Sequence, residues 1–369
     1  MSQGRRVHIR PRHTASRVRR RWQSLIPIGL ACWLAACGTS LETRQPTASS
    51  ATAASPVHVA VTPPPATSMP ASPSQPTLAA TIGKPADDGA RVILVEAIDD
   101  RTRDITVDSP SVGVQKVRLL LPARFATEAS TRWPVLYLLH GAGTEATPYK
   151  SWTTFAKVGA LTGPTNLLVV MPSAGTWGWY TDWWNDGAGG PPKWETFHLV
   201  ELAQLLERNW QAGDKRAVAG YSMGGMGAMA YAARHPGMFL AAAGYSGVLD
   251  TLGAGAYTQS TATWGDPTAQ ADVWRAHNPL DLAAALKGVA LYVSYGDGTP
   301  GLFDNGVVPA GDLEGWIHDQ DQAFVNRLHA LNIPVTVDAY GSGTHTGPYW
   351  ARSFQRSLPL ILRALGQLG

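Results

Sequence analysis

The sequence predicts an α/β domain whose central sheet is mostly parallel and covered by helices on both faces, and three observations predict it. Apolar strand-like runs alternate with helix-like patterns through the C-terminal part of the chain, the arrangement that buries a parallel sheet between two helical layers. In Gly220-Tyr221-Ser222-Met223-Gly224-Gly225 a serine stands among glycines where one apolar run stops and an alanine-rich helix starts. His345 lies in a second glycine-rich stretch, Gly341-Ser342-Gly343-Thr344-His345-Thr346-Gly347, between the last run and the last helix. Ligands of such sheets sit at the carboxyl ends of the strands, and both stretches follow such ends.

The chain opens with a segment outside that fold. Residues 1–36 carry eight arginines and neither lysine nor acid, with an apolar run from Leu25 to Ala36. This is the layout of an export signal, and about a dozen apolar residues are too few to span a bilayer. Leu34-Ala35-Ala36-Cys37 resembles the lipobox of bacterial lipoproteins, which implies a lipid on Cys37, a membrane as partner and a place in the cell envelope. An ordinary signal peptide with a chance cysteine is the alternative. The whole chain has a formal net charge of +3, and removing eight positive charges leaves −5 on the remainder. The basic character therefore belongs to the signal, and no nucleic-acid partner is expected. The two cysteines are Cys32, inside the apolar run, and Cys37, so the exported part is expected to have no disulfide and no thiol chemistry.

Residues 37–87 are expected to form a tether. From Gln45 to Gly83 no Asp, Glu, Lys or Arg occurs, and Pro, Ala, Ser and Thr dominate, with Pro63-Pro64-Pro65 among them. Such a composition buries too little apolar surface to offset chain entropy. At roughly 3 Å per residue in polyproline-like form, it could hold a domain tens of ångströms from a membrane. The folded domain is then residues 88–369, with no internal repeat.

Within it, strand-like runs occur at Arg91 to Ile98, Val114 to Leu121, Val135 to Leu139, Leu167 to Met171, Arg216 to Ala219, Leu240 to Gly244, Val289 to Tyr295 and Val335 to Tyr340. Helix-like patterns cover Trp194 to Trp210, Met223 to Arg234, Leu313 to Leu331 and Tyr349 to Leu365. The first strands precede any helix, so they are expected to form an antiparallel edge.

The serine stretch has the G-x-S-x-G pattern of a nucleophile elbow, a one-residue turn from strand to helix that lifts the hydroxyl off the sheet. Only glycine tolerates the crowding around such a turn. A serine hydroxyl needs a positioned base, and His345 is the candidate. A carboxylate between the two in chain order should orient the imidazole. Asp297 follows the penultimate strand and Glu314 opens a later helix, and spacing alone leaves both open. For Asp297 the plain reading is a turn-forming Asp-Gly, and for Glu314 a carboxylate favoured at a helix N-terminus.

Further motifs carry a resemblance. They are Pro134 to Gly141, Tyr180-Thr181-Asp182-Trp183, Lys193-Trp194-Glu195-Thr196-Phe197, the Ser222 elbow, Gly298-Thr299-Pro300, Leu313-Glu314, and Gly343-Thr344-His345 followed by Pro348-Tyr349-Trp350. Over most of Trp133 to Gly366 the chain resembles the esterase-D-like branch of the α/β-hydrolases. Within that branch it is similar to the mycolyltransferases, secreted acyl-transfer enzymes of the mycobacterial envelope. The resemblance implies an acyl-enzyme mechanism on an ester substrate, a small molecule or a lipid or glycan ester. It puts the orienting acid at Glu314 and the oxyanion donors at the backbone N–H groups of Met223 and Ala142. It weakens at the substrate, where an aspartate, an arginine and a tryptophan of that family correspond here to His140, Gly143 and Gly347. A different substrate is therefore expected, with hydrolysis favoured over transfer to an alcohol. A non-catalytic binding protein on the same scaffold is the lesser alternative.

His140 and two residues of the aromatic loop Trp177 to Trp184, Trp179 and Trp183, are the side chains expected at the substrate, although tryptophans there could simply pack the loop. Asp186 and Glu195 lie nearby without the spacing of metal ligands. No phosphate-binding loop or dinucleotide fingerprint occurs, so neither metal nor cofactor is expected.

Overall fold

A computed structural model describes residues 82–143, 146–185, 192–253, 261–309 and 312–368, all within one compact unit, Pro73–Gly369. The export signal, Cys32, Cys37, the tether as far as residue 81 and Asp186 lie outside the described residues.

Nine strands form one sheet in the order β1-β2-β3-β5-β4-β6-β7-β8-β9 among the described residues. They are β1 (Arg91–Ala97), β2 (Thr102–Ser109), β3 (Gly113–Leu120), β4 (Trp133–Leu139), β5 (Leu168–Pro172), β6 (Ala212–Tyr221), β7 (Ala241–Tyr245), β8 (Ala290–Tyr295) and β9 (Thr336–Ala339). The β1-β2-β3-β5 pairings are antiparallel and all later ones parallel, as the order of strand and helix patterns in the sequence predicts.

The helices are α1 (Ser151–Phe155), α2 (Val158–Thr162), α3 (Trp194–Thr196), α4 (Leu202–Asn209), α5 (Met223–Arg234), α6 (Thr261–Trp264), α7 (Ala271–Arg275), α8 (Pro279–Leu282), α9 (Glu314–Ala330) and α10 (Gly347–Ala364). Strand periodicity divides the core between the two sheet faces. Val135, Tyr137 and Leu139 of β4 join Leu202 and Leu205 of α4, Met226 of α5 and Phe324 of α9 on one face. Leu136 and Leu138 join Trp152 of α1 and Phe354 and Ile361 of α10 on the other. Each such buried side chain contributes about 1.5–3 kcal/mol, so the middle strands are clamped from both sides.

Three features depart from the sequence reading. Strand β2 was invisible because its polar residues break the apolar run; Asp104 is buried opposite Arg118 on β3, whose Nε and Nη2 donate to its two oxygens at 2.7 and 2.9 Å. The helix expected over Trp194 to Trp210 is interrupted by a π-helical turn, Phe197–Glu201, whose extra residue per turn carries both His198 and Glu201 inward. Finally, residues 82–87 are not part of a free tether. Ile82 bridges to Val92, Ala86 is buried, and the Lys84 N–H donates to Asn209 Oδ1 at 2.7 Å.

Candidate active site

Strand β6 ends at Tyr221 and α5 begins at Met223, leaving Ser222 as the whole connection. Its backbone has φ 55° and ψ −123°, a region that costs a non-glycine residue about 1–3 kcal/mol. Surrounding hydrogen bonds hold it there: its N–H donates to Tyr245 O at 3.0 Å, and its carbonyl accepts from the Gly225 and Met226 N–H groups at 2.9 and 3.2 Å. The flanking glycines have a steric cause. A Cβ on Gly220 would lie 2.2 Å from Gly224 O, and one on Gly224 would lie 2.4 Å from Leu139 O. The helix start is thereby packed directly on the ends of β4 and β6.

The structure brings Ser222, His345 and Glu314 together. Ser222 Oγ is 2.9 Å from His345 Nε2, and His345 Nδ1 is 2.8 Å from Glu314 Oε2. With a carboxylate on its Nδ1 side, the imidazole carries its proton there, leaving Nε2 to accept from the serine hydroxyl. The serine comes from the end of β6, the histidine from the loop after β9 and the glutamate from the first residue of α9, so the carboxyl end of the parallel half-sheet gathers all three.

Glu314 is fully buried, and its other oxygen accepts from Ser246 Oγ at 2.8 Å and from the Gly296 N–H at 2.7 Å. Burial pushes its carboxyl up, but the hydrogen bond and charge of His345 and these further donors outweigh it, so the group sits below the ordinary glutamate range. Asp297, the other candidate acid, is exposed and turned to its own loop, where it accepts from the Thr299 N–H at 2.9 Å and from the Thr299 hydroxyl. It is a turn residue.

Two supporting residues were missed. Asp312 accepts from the His345 N–H at 2.7 Å through one oxygen and from the Glu314 N–H at 3.0 Å through the other. An aspartate just ahead of a helix is a recognisable capping signal, but its second bond is to a loop distant in sequence. Asp304 accepts from Tyr349 Oη at 2.6 Å and from Thr344 Oγ1, pinning the residue before His345. Nothing local in the sequence announces that contact.

The N–H groups of Met223 and Ala142 donate to no other protein group among the described residues. The first N–H groups of a helix have no intrahelical acceptor, so the Met223 N–H is available to an anion beside Ser222.

His140, expected at the substrate, is instead buried beneath the turn. Its Nδ1 donates to Gly141 O at 2.7 Å and its Nε2 accepts from the Ala174 N–H at 2.9 Å. Burial brings its pKa down to about 4, so the ring is neutral and both nitrogens are spent on backbone. It can shape the Gly141-Ala142 turn but has no edge left for a ligand.

Trp179 is likewise corrected from substrate contact to core: it is 1% exposed and packs on Trp264 with ring centroids 5.5 Å apart. Trp183 is half-buried, and its backbone N–H donates to Pro192 O at 3.2 Å. Glu195 is tied to Arg234 Nε at 3.0 Å and His235 Nε2 at 2.6 Å, a structural ion pair.

Asp321, two turns along α9 from Glu314, is fully buried, and neither oxygen has a well-formed hydrogen bond among the described residues. Burial, and then the charge of Glu314, raise its pKa well above the ordinary aspartate value, more than the nearby Gly247 N–H lowers it. In the folded protein it keeps its proton to a higher pH than in the unfolded chain, which ionises near pH ~3.9. Stability should therefore fall as pH rises above that value, until the folded group also ionises. Asp321→Asn, which keeps the shape of the neutral acid, is expected to raise Tm at pH 7.5 by about 2–4 °C, the shift produced by ~1 kcal/mol in a domain of this size. The gain should vanish near pH 4, and an equal gain at both pH values would show that ionisation is not the cause.

A mostly parallel sheet carrying a strained serine elbow, a histidine after the last strand and a buried acid defines an α/β-hydrolase. The chain belongs to the esterase family whose profile, described as "Putative esterase", matches residues 113–361. It is 37% identical over 172 residues to an esterase of Mycobacterium tuberculosis, a match covering 45% of this chain and 36% of that protein's length. It is 30% identical over 254 residues to the diacylglycerol acyltransferase/mycolyltransferase Ag85B of Mycobacterium intracellulare, covering 63% of this chain and 76% of the relative. Among solved structures, Mycobacterium tuberculosis MPT51 aligns over 73% of this chain and 100% of its own at TM-score 0.59 and 24% identity. An S-formylglutathione hydrolase from Agrobacterium tumefaciens aligns over 75% and 99% at TM-score 0.58 and 16% identity, a likeness of fold.

Proposed function

We propose that the chain is a serine carboxylic-ester hydrolase working through Ser222, His345 and Glu314. The observation that carries this reading is the unbroken line of hydrogen bonds from Ser222 Oγ through both imidazole nitrogens to a buried carboxylate. Ser222 Oγ attacks the ester carbonyl while its proton passes to His345 Nε2; the carbonyl electrons move onto oxygen, facing the Met223 and Ala142 N–H groups. Collapse of this adduct expels the alkoxide half, which takes the proton from Nε2, and leaves an acyl-serine. Water, deprotonated by the same nitrogen, attacks the acyl carbon, and the second adduct expels Ser222 Oγ, which takes the proton back from Nε2 as the acid is released. Glu314 stays ionised throughout and steadies the imidazolium.

The 30% identity to an acyltransferase favours a second reading, in which an alcohol replaces water in the last step. Both readings require a covalent acyl-serine. A fluorophosphonate is expected to label the protein at Ser222 and to stop labelling Ser222→Ala, while the same ester assay with an added alcohol separates hydrolysis from transfer by product. A wild-type protein that is not labelled would point to a binding module on this scaffold.

We also propose export and anchoring through a lipidated Cys37, with residues 37–81 as tether, on the strength of the arginine-rich signal and the Leu34-Ala35-Ala36-Cys37 pattern. No helix among the described residues is long and apolar enough to cross a membrane. In cells fed labelled palmitate, Cys37→Ser should lose incorporation and membrane association together; a wild-type chain recovered unlipidated would end the proposal.

A further inference from the structure

Beside the serine lies a cavity of about 200 Å³, bounded by Ala142, Gly143, Phe155, Tyr221, Gly347 and Trp350 among others. We propose that it receives the alcohol half of the ester, and that this half is uncharged, compact and apolar, of benzyl size, and not a sugar. The inference rests on the reading of Ser222 as nucleophile and adds which end of the substrate goes where.

Position comes first. The walls come from both partners in the chemistry: Ala142 and Gly143 belong to the turn beside the elbow, where a Cβ on Gly141 would lie 3.2 Å from Ser222 Cβ, and Trp350 packs edge-on against the His345 ring with centroids 4.9 Å apart. In the tetrahedral adduct the leaving oxygen must face His345 Nε2 to receive its proton. A group attached to that oxygen therefore points along the histidine side, where Trp350, which packs on the imidazole, forms part of the cavity wall.

Chemistry comes second. No charged side chain lines the cavity among the described residues, and three rings form part of its wall beside the backbone of the Gly141–Gly143 turn. Tyr221 and Trp350 stack at 4.2 Å with 17° between planes, and Phe155 meets them at 5.3 and 5.9 Å. An apolar cavity of roughly 150 Å³ lined by Leu, Ile and Phe accepts benzene, so this one, with three rings in its wall, has room for an aryl or short alkyl group; a hydroxylated sugar would lose hydrogen bonds to water against those rings. Space also depends on Gly347, the first residue of α10: a Cβ there would lie 3.2 Å from both Cβ and Cγ of Phe155, so any larger side chain must displace that ring or fill the cavity.

The test uses butyrate esters of methanol, benzyl alcohol and glucose on the full chain, with acylation and deacylation rates separated by stopped flow. For the wild type, acylation is expected to be at least tenfold faster with the benzyl than with the glucosyl ester. Gly347→Val should lower the benzyl-to-methyl ratio of kcat/KM at least tenfold, and Phe155→Ala should shift preference toward a naphthylmethyl alcohol by a similar factor. Deacylation of the shared butyryl-enzyme should not depend on the cavity, because the alcohol has already left. Unchanged ratios in both variants, or a deacylation rate that tracks them, would overturn the assignment and place the acyl half there instead. Failure of the wild type to form any acyl-enzyme would reject the serine-hydrolase reading, a result separable from the others.

Discussion

Ser222→Ala is expected to lower kcat for ester cleavage by roughly 10⁵- to 10⁶-fold, with KM little changed. The size follows from what remains. The proposed oxyanion donors are backbone groups that the substitution leaves in place, so a residual rate of about 10³–10⁴ over water should persist. The elbow geometry should also survive, because the bonds that hold it run through the backbone of Ser222, to Tyr245, Gly225 and Met226. Alanine at φ 55° bears the same strain as serine, so stability should move little. Adding His345→Ala should cost almost nothing further, since the two act as one unit. A multiplicative loss in the double variant would show that the 2.9 Å contact is not the working proton path.

The second large effect concerns the acid. Glu314→Gln should cut kcat by about 10⁴-fold, the scale seen when a triad carboxylate becomes an amide. A glutamine can still accept from Ser246 and Gly296, so the fold should hold, but its amide group presents N–H toward His345 Nδ1. The imidazole then carries its proton on Nε2, facing the serine, and cannot accept. Asp297→Asn, by contrast, should leave kcat within about twofold, because that side chain only closes a turn with Thr299. Measured side by side, full activity in the first variant and collapse in the second would reverse the assignment.

Much of this architecture is legible in the sequence because it rests on local signals. The elbow can be read from glycine spacing, since Gly220 and Gly224 are required by contacts that follow from one tight turn. The inner parallel strands β4, β5, β7 and β8 can be read because they are buried on both faces and so are almost continuously apolar. Strand β2 could not be, because the partner that makes Asp104 burial tolerable, Arg118, becomes a neighbour only through pairing with β3. At the candidate site, the choice of Ser222 and His345 as candidates follows from motif and order, whereas the choice between Glu314 and Asp297 turns on which carboxylate faces inward. His140 and Trp179 illustrate the converse. The motifs suggest a place at the substrate, but both side chains point into the protein, and their direction is set by contacts with Ala174 and Trp264 that no local pattern encodes.

Asp312 has a mechanical consequence. One carboxylate grips both the strip of backbone that carries His345, the proposed base, and the amide that opens the helix carrying Glu314, its proposed acid. Base and acid thus ride on a common bracket: thermal excursions of the outer loops should translate the pair together and stretch the reach to the alcohol while sparing the link between them. Wear in this machine would first show as a longer stroke at the serine, with the imidazole still facing the right way.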